Sequence, residues 1–229
     1  QRRSMKTLNL KQSILTLLLF TAIGFLIYSN SIHGEFIYDD ILNIQGNPIV
    51  QNARNLKPIL GYHASRFFPY FSFALNYFFH QTDTFGYHLV NILIHIFNTW
   101  LVFWLTQILL KTKKFIRLDE RNHYLLSILA ALIFLTHPIQ TQAVSSIVQR
   151  ITLLSTSFYL SSIALYLKSR LENRKISWAL SIILCAMAMA SRENSATLPF
   201  MLCFLELYLI RETAPASKAK TFRWLAPFF

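Results

Sequence analysis

Two adjacent carboxylates, Asp39 and Asp40 in "GEFIYDDILNI" (34 to 44), stand in an apolar and aromatic run just after the first long hydrophobic stretch. A carboxylate held there is a candidate general base for a weakly acidic hydroxyl, an effect of roughly 10²- to 10⁴-fold. Neighbouring side chains on a helix or strand point in different directions, so the pair reads as one base and one supporting residue. The plainer alternative is Asp40 as the N-cap of a short helix starting at Ile41. The cations are the second element of the chemistry. "THPIQTQAVSSIVQR" begins near His137 and ends at Arg150, and "ASRENSA" places Arg192 and Glu193 inside an apolar stretch. An arginine's fixed fork of donors suits a phosphate. Against this stand snorkelling to lipid phosphates for Arg150, and an internal ion pair or polar turn for Arg192 and Glu193. His88, Asn91, His95 and Asn98, spaced three, four and three, share one helical face. That face fits interhelical hydrogen bonding, with His88 alone near enough to the outer surface to touch a substrate. Two histidines two turns apart do not easily share a metal.

The elements that must hold these groups are apolar blocks. Of 229 residues 54% are hydrophobic and mean hydropathy is +0.39, more than a soluble domain of this length carries, which predicts an all-α integral membrane protein. The block at 13 to 30 follows "QRRSMKTLNLK" and is long enough for roughly 30 Å of hydrocarbon at about 1.5 Å per residue. With no small-residue cleavage site after it, it reads as a retained helix rather than a signal peptide. Further blocks at 87 to 110, 124 to 136, 151 to 167, 178 to 190 and 196 to 210 bring the expected spans to six, the third and fifth borrowing flanking residues. "RWLAPFF" reads as the start of a seventh, so residues 1 to 229 are expected to be the N-terminal part of a larger membrane domain.

Charge sets the expected orientation. Of 22 Lys and Arg, 17 lie in the N-terminus, 111 to 121, 168 to 175 and the stretch from Arg211 onward, which share one side if every block crosses; that side is expected to be the cytoplasm. The same rule accounts for the net charge of +12, so no nucleic-acid partner is expected. Cys185 and Cys203 fall in apolar blocks as packing residues. The long outer loop, 31 to 86, contains "SRFFPYFSFALNYFF" (65 to 79), expected to lie along the membrane surface as one or two interfacial helices. The outer face thus collects carboxylates, arginines and histidines, which suits chemistry on a lipid-linked phosphate.

"FIYDD", "RFFPYFSFALNY" with "GYHLVNILIHIFNT", "LTHPIQTQAVSSIVQR" and "SRENSATLP", in this order, resemble the N-terminal half of the multi-span GT-C glycosyltransferases that carry tetratricopeptide repeats, akin to protein O-mannosyltransferases and their bacterial relatives. The resemblance covers about residues 30 to 210. It implies a helical GT-C bundle that transfers a sugar from a polyprenyl-phosphate donor to a hydroxyl acceptor, often protein Ser or Thr, outside the cytoplasm. The membrane would be the bacterial inner membrane, or the endoplasmic reticulum membrane of a eukaryote. Expected partners are membrane lipid, the lipid-linked sugar and an acceptor protein or glycan; a divalent metal is left open. The resemblance makes Asp39 or Asp40 the catalytic carboxylate, and Arg150, Arg192 and Glu193 match positions expected to line the donor site, with His137, His88 and Arg66 as further candidates. Gln142 stands where relatives usually carry an acid, so no carboxylate role is carried over there. The alternatives are a transporter or flippase for a lipid-linked sugar and a non-catalytic scaffold. Against a transporter, the charged groups cluster at one surface and no internal repeat is visible.

Overall fold

The computed structural model describes residues 10–52, 57–62, 64–112, 115, 119–211 and 218–229. Regular structure among them is helical throughout. Each apolar block is a helix: α1 (Leu10–Tyr28), α4 (Phe85–Leu110), α5 (Glu120–Thr136), α7 (Arg150–Glu172), α8 (Lys175–Met189) and α9 (Leu198–Leu205), the last running on as a wider turn over Glu206–Ile210. Shorter helices lie between them: α2 (Lys57–Tyr62) and α3 (Phe67–His80) in the first long loop, and α6 (Gln140–Ser145) in the second. Local chemistry sets the ends. The Asp119 carboxylate accepts the Asn122 N–H at 3.1 Å and opens α5. Asn173 at φ 59°, ψ 40° closes α7 in the left-handed conformation asparagine tolerates. Pro199 lies in the first turn of α9, where no N–H is needed.

Side-chain contacts fix the helix directions. Tyr28 donates to the Leu135 carbonyl (3.2 Å) and Thr16 bonds Tyr124 (2.7 Å), so α1 and α5 run parallel. Arg150 reaches Tyr87 at the start of α4, so α7 runs parallel to α4, and Arg192 beyond the end of α8 meets Thr152 at the start of α7. The six long segments therefore alternate in direction. One end of the bundle gathers the C-termini of α1, α5 and α8 with the N-termini of α4, α7 and α9, and the first loop covers it.

Three apolar clusters make the core. One joins α1, α4 and α5 around Phe20, Ile92, Phe103 and Leu135; another joins α7, α8 and α9 around Ile163, Leu167, Cys185 and Leu202. The third belongs to the loop end: Ile44, Val50 and Ile59 pack with Tyr70, Phe73 and Ala74 of α3, with Tyr87 and with Ile147. The first loop thus has an apolar core of its own, and α3 is the helix expected in the aromatic segment. "RWLAPFF" folds back as α10 (Lys218–Leu225) and a turn at Ala226–Phe228: Trp178 Nε1–H donates to the Trp224 carbonyl at 3.0 Å, and Phe228 is buried against Tyr166. By length and composition, two stretches of the described residues are long and apolar enough to cross a membrane, Lys11–His33 and Phe85–Leu110; Lys175–Met189 is apolar but shorter. α7 has the length, yet its face carries Ser155, Ser157, Ser162, Ser169 and Arg170, all buried inside the bundle.

Candidate functional site

The two aspartates part company in the first loop. Tyr38, at φ 46°, takes the left-handed conformation that non-glycine residues rarely adopt, and the chain re-enters a helical turn at Asp39. Asp39 is exposed, its carbonyl accepting from the Asn43 amide (2.8 Å). Asp40 is 1% exposed. Its Oδ1 accepts the Val148 N–H at 2.7 Å and its Oδ2 the Ile37 N–H at 3.3 Å. It makes no side-chain cap to the turn at Ile41–Gln45, so the capping alternative does not hold. Its carboxyl ties the first loop to the approach of α7 instead. Burial pushes that carboxyl above the ordinary carboxylate range, and the N–H groups of Val148, Ile37 and Ile147 and the charge of His88 pull the other way.

Beneath this loop lies the polar face of α4, and all four of its residues hold neighbouring segments. His88 Nε2 donates to the Gly34 carbonyl (3.1 Å), and His95 Nε2 to the Leu135 carbonyl (3.3 Å). Asn91 donates to the carbonyls of Val144, Ser146 and Ile147 at 3.1 to 3.3 Å, and Asn98 to that of Leu153 at 2.9 Å. His88 is buried; the expectation that it meets a substrate gives way to a structural hydrogen bond. A Cβ on Gly34 would lie 3.2 Å from His88 Nε2, so glycine permits the close approach.

Arg150 overturns its expectation as a donor-phosphate ligand. It is 0% exposed. Nε donates to Asn91 Oδ1 at 2.8 Å, Nη2 to the Tyr87 carbonyl at 2.9 Å and Nη1 to the Ser72 carbonyl at 3.3 Å. The guanidinium stacks near Phe73 (4.8 Å) and Tyr87 (5.6 Å). Each of its three nitrogens has a partner inside the protein. Snorkelling fails for the same reason. Arg150 joins α3, α4 and α7 beneath the first loop.

The cations open to a ligand lie nearby. Arg192, partly buried, donates through Nη1 to Thr152 Oγ1, which in turn donates to Gln149 Oε1 at 2.7 Å. Arg192, Thr152, Ser155, Thr156, Asn194 and Ser195 line an open pocket of about 220 Å³, together with Tyr159 and Leu160. Ser155 and Ser195 share a hydrogen bond of 2.7 Å within it. Glu193, on the same loop, reaches back to the first: Arg66 Nε donates to its Oε1 at 3.2 Å and Ser65 Oγ to the same oxygen at 3.3 Å. The Glu193 backbone N–H and the Arg66 guanidinium hold that carboxyl below the ordinary range. His137 is exposed, its Nδ1 accepting the Ile139 N–H (3.2 Å) at the end of α5. Of the two plainer alternatives for Arg192 and Glu193, an internal ion pair or a polar turn, the segment is a polar turn between α8 and α9, and Glu193 pairs with Arg66. Thr152, Ser155 and Ser195 were not legible as site residues, because small hydroxyls in an apolar block carry no pattern of their own. No group of three or more His, Cys, Asp or Glu that could hold a metal occurs among the described residues.

The site thus defined is an exposed carboxylate, next in sequence to a buried one that fastens the loop, at the same end of an apolar helical bundle as a pocket lined in part by an arginine. Curated proteins similar to this chain include protein O-mannosyl-transferases. It is 28% identical over 214 residues to F38B6.6 of Caenorhabditis elegans (88% of this chain, 29% of that protein). It is 33% identical over 199 residues to Tmtc1 of Drosophila melanogaster (81% and 22%), and 28% identical over 221 residues to TMTC3 of Homo sapiens (90% and 22%). The chain spans less than a third of the length of these relatives. No family model and no solved structure matches it. The resemblance read from the four motifs is borne out over most of the chain.

Proposed function

We propose that this chain carries the catalytic carboxylate of a membrane glycosyltransferase of GT-C type, which moves a sugar from a polyprenyl-phosphate-linked donor to a hydroxyl acceptor on protein, on the extracytoplasmic side. The observation that carries the reading is the contrast within the acid pair: Asp39 is open to solvent, while Asp40, 1% exposed, is fastened to Val148. Asp39 takes the proton of the acceptor hydroxyl as its oxygen bonds the sugar's anomeric carbon, and the bond from that carbon to the phosphate oxygen breaks with its electron pair leaving on the phosphate. A phosphate leaves without a proton, so it needs charge stabilisation and no general acid. Arg192 fills that role in the pocket with Thr152, replacing Arg150. The relatives' names support the transferase class and a protein acceptor; six helical segments of alternating direction support a multi-span bundle in the membrane. The test is transfer of labelled sugar from a polyprenyl-phosphate donor to a Ser/Thr peptide by membranes containing the chain. Asp39→Asn keeps size and shape and should nearly abolish transfer; parental turnover would sink the general-base reading.

A further inference from the structure

The exposed pair between Glu193 and Arg66 has no part in that scheme, and its geometry is that of an anion seat. Arg66 presents Nε to Glu193 Oε1 at 3.2 Å and Nη2 to Oε2 at 3.5 Å, side-on, and Ser65 Oγ adds a third donor at 3.3 Å. A guanidinium edge with a hydroxyl beside it serves a phosphate oxyanion as well as a carboxylate. At Arg192, where the backbone is extended (φ −160°, ψ 139°), the side chain meets Thr152 in the pocket. One short loop therefore puts a cation into the pocket and a carboxylate onto the second arginine.

We propose that Glu193 occupies this seat in the ligand-free chain and vacates it when a phosphate-bearing ligand arrives, leaving Arg66 and Ser65 to join Arg192 in holding the phosphate. The proposal rests on the reading of the pocket as a phosphate site. The Glu193 side chain is 56% exposed and that of Arg66 36%. A pair so open to water contributes only about 0–1 kcal/mol, so exchange with a phosphate is cheap. While Glu193 stays, its charge cancels that of Arg66 and opposes an incoming anion.

A simple strap between two loops behaves differently. Glu193→Gln keeps the reach and one acceptor for Arg66 but removes the competing charge. If Glu193 only braces Arg66, the change weakens anion binding; if Glu193 fills the seat, the change strengthens it. The measurement is calorimetric titration of the detergent-solubilised full chain with farnesyl phosphate, and in parallel with inorganic phosphate. Glu193→Gln should tighten farnesyl phosphate about two- to fivefold. Arg66→Ala should weaken it and cancel the gain in the double variant. The same order with inorganic phosphate means the seat takes phosphate from either source, and an order confined to farnesyl phosphate assigns it to lipid phosphate; both support the seat. Unchanged or weaker binding by Glu193→Gln, or no binding of either probe by parent and variant, overturns it. Sugar transfer assayed on the same preparations separates the two readings. The expected binding order without transfer overturns the transferase and keeps the seat; transfer with binding indifferent to both variants does the reverse.

Discussion

A carboxylate that takes a proton from a substrate must be reachable, and of the two aspartates only Asp39 is, whereas Asp40 spends both oxygens on the N–H groups of Val148 and Ile37. Asp40→Asn keeps one acceptor for Val148 but can set an amide against the Ile37 N–H, so it should lower stability by about 1–3 kcal/mol and reduce turnover only partly. Thermal melts and turnover of the two Asn variants check this, and a dead Asp40→Asn beside an active Asp39→Asn would exchange their roles. A pH dependence follows from burial, which raises the Asp40 carboxyl above its ordinary 3.8. Between the ordinary value and the raised one, the folded chain keeps a proton that the unfolded chain has lost. The group's contribution to stability is therefore greatest in acid and falls as pH rises through that window. Unfolding measured across it should show the parent's advantage over Asp40→Asn shrinking with rising pH; an advantage that grows would mean the two N–H groups outweigh burial.

The α4 polar face shows what an element's spacing does and does not disclose. Spacings of three, four and three are enough to predict interhelical hydrogen bonds, since polar groups on one face of an apolar helix need partners, and all four residues have them. The helices were legible for a related reason: each is an apolar block bounded by polar punctuation, and α5 gained length only through the Asp119 cap. Arg150 was not legible. Its three acceptors lie 59, 63 and 78 positions away in sequence, so nothing local distinguishes a buried clamp from an exposed phosphate ligand. The two roles now predict different losses. Arg150→Ala leaves Asn91 Oδ1 unpaired and takes a second donor from two helix carbonyls around a cavity, and should cost on the order of 3–5 kcal/mol. Arg150→Lys cannot meet all three acceptors and should also unfold early, whereas a phosphate ligand would lose donor affinity with its melting temperature intact. Gly34→Ala is the milder probe of the same layer. Its Cβ would press on His88 Nε2 at 3.2 Å and the Ser31 carbonyl at 3.1 Å, a crowding of about 1–3 kcal/mol. Slower turnover with a small melting shift is expected.

Across the whole molecule the two ends of the bundle have opposite characters. The end described above carries the acid pair, the pocket and the loop's aromatic cluster; the other carries Lys111, Lys168, Arg174 and Lys175 around a buried ion pair, Arg170 Nη2 to Glu206 Oε1 at 2.5 Å, with Tyr166 donating to the same carboxylate. That pair fastens the wide turn Glu206–Ile210 to α7, and Arg170 also stacks on Trp224 (5.1 Å), which locks α10 against the bundle. The cost of taking both charges out of water offsets much of the attraction in a buried pair of this kind. The alternation of helices is what separates the two ends, and it makes the orientation testable with two cysteines. Gln51 is exposed at the acid-pair end; Arg174 is exposed at the basic end, while Lys113, which belongs to the same basic run, lies outside the described residues. Cys185 is buried and Cys203 partly so, so a background with Cys203→Ser keeps native thiols silent. In intact cells, or sealed microsomes opened stepwise, a membrane-impermeant maleimide should label position 51 only from the extracytoplasmic side and position 174 only from the cytoplasm. Labelling of both from one side would mean the helices do not carry the chain across between them, and would overturn the proposed extracytoplasmic placing of the site. Labelling with the sides exchanged would keep the bundle and turn the site toward the cytoplasm.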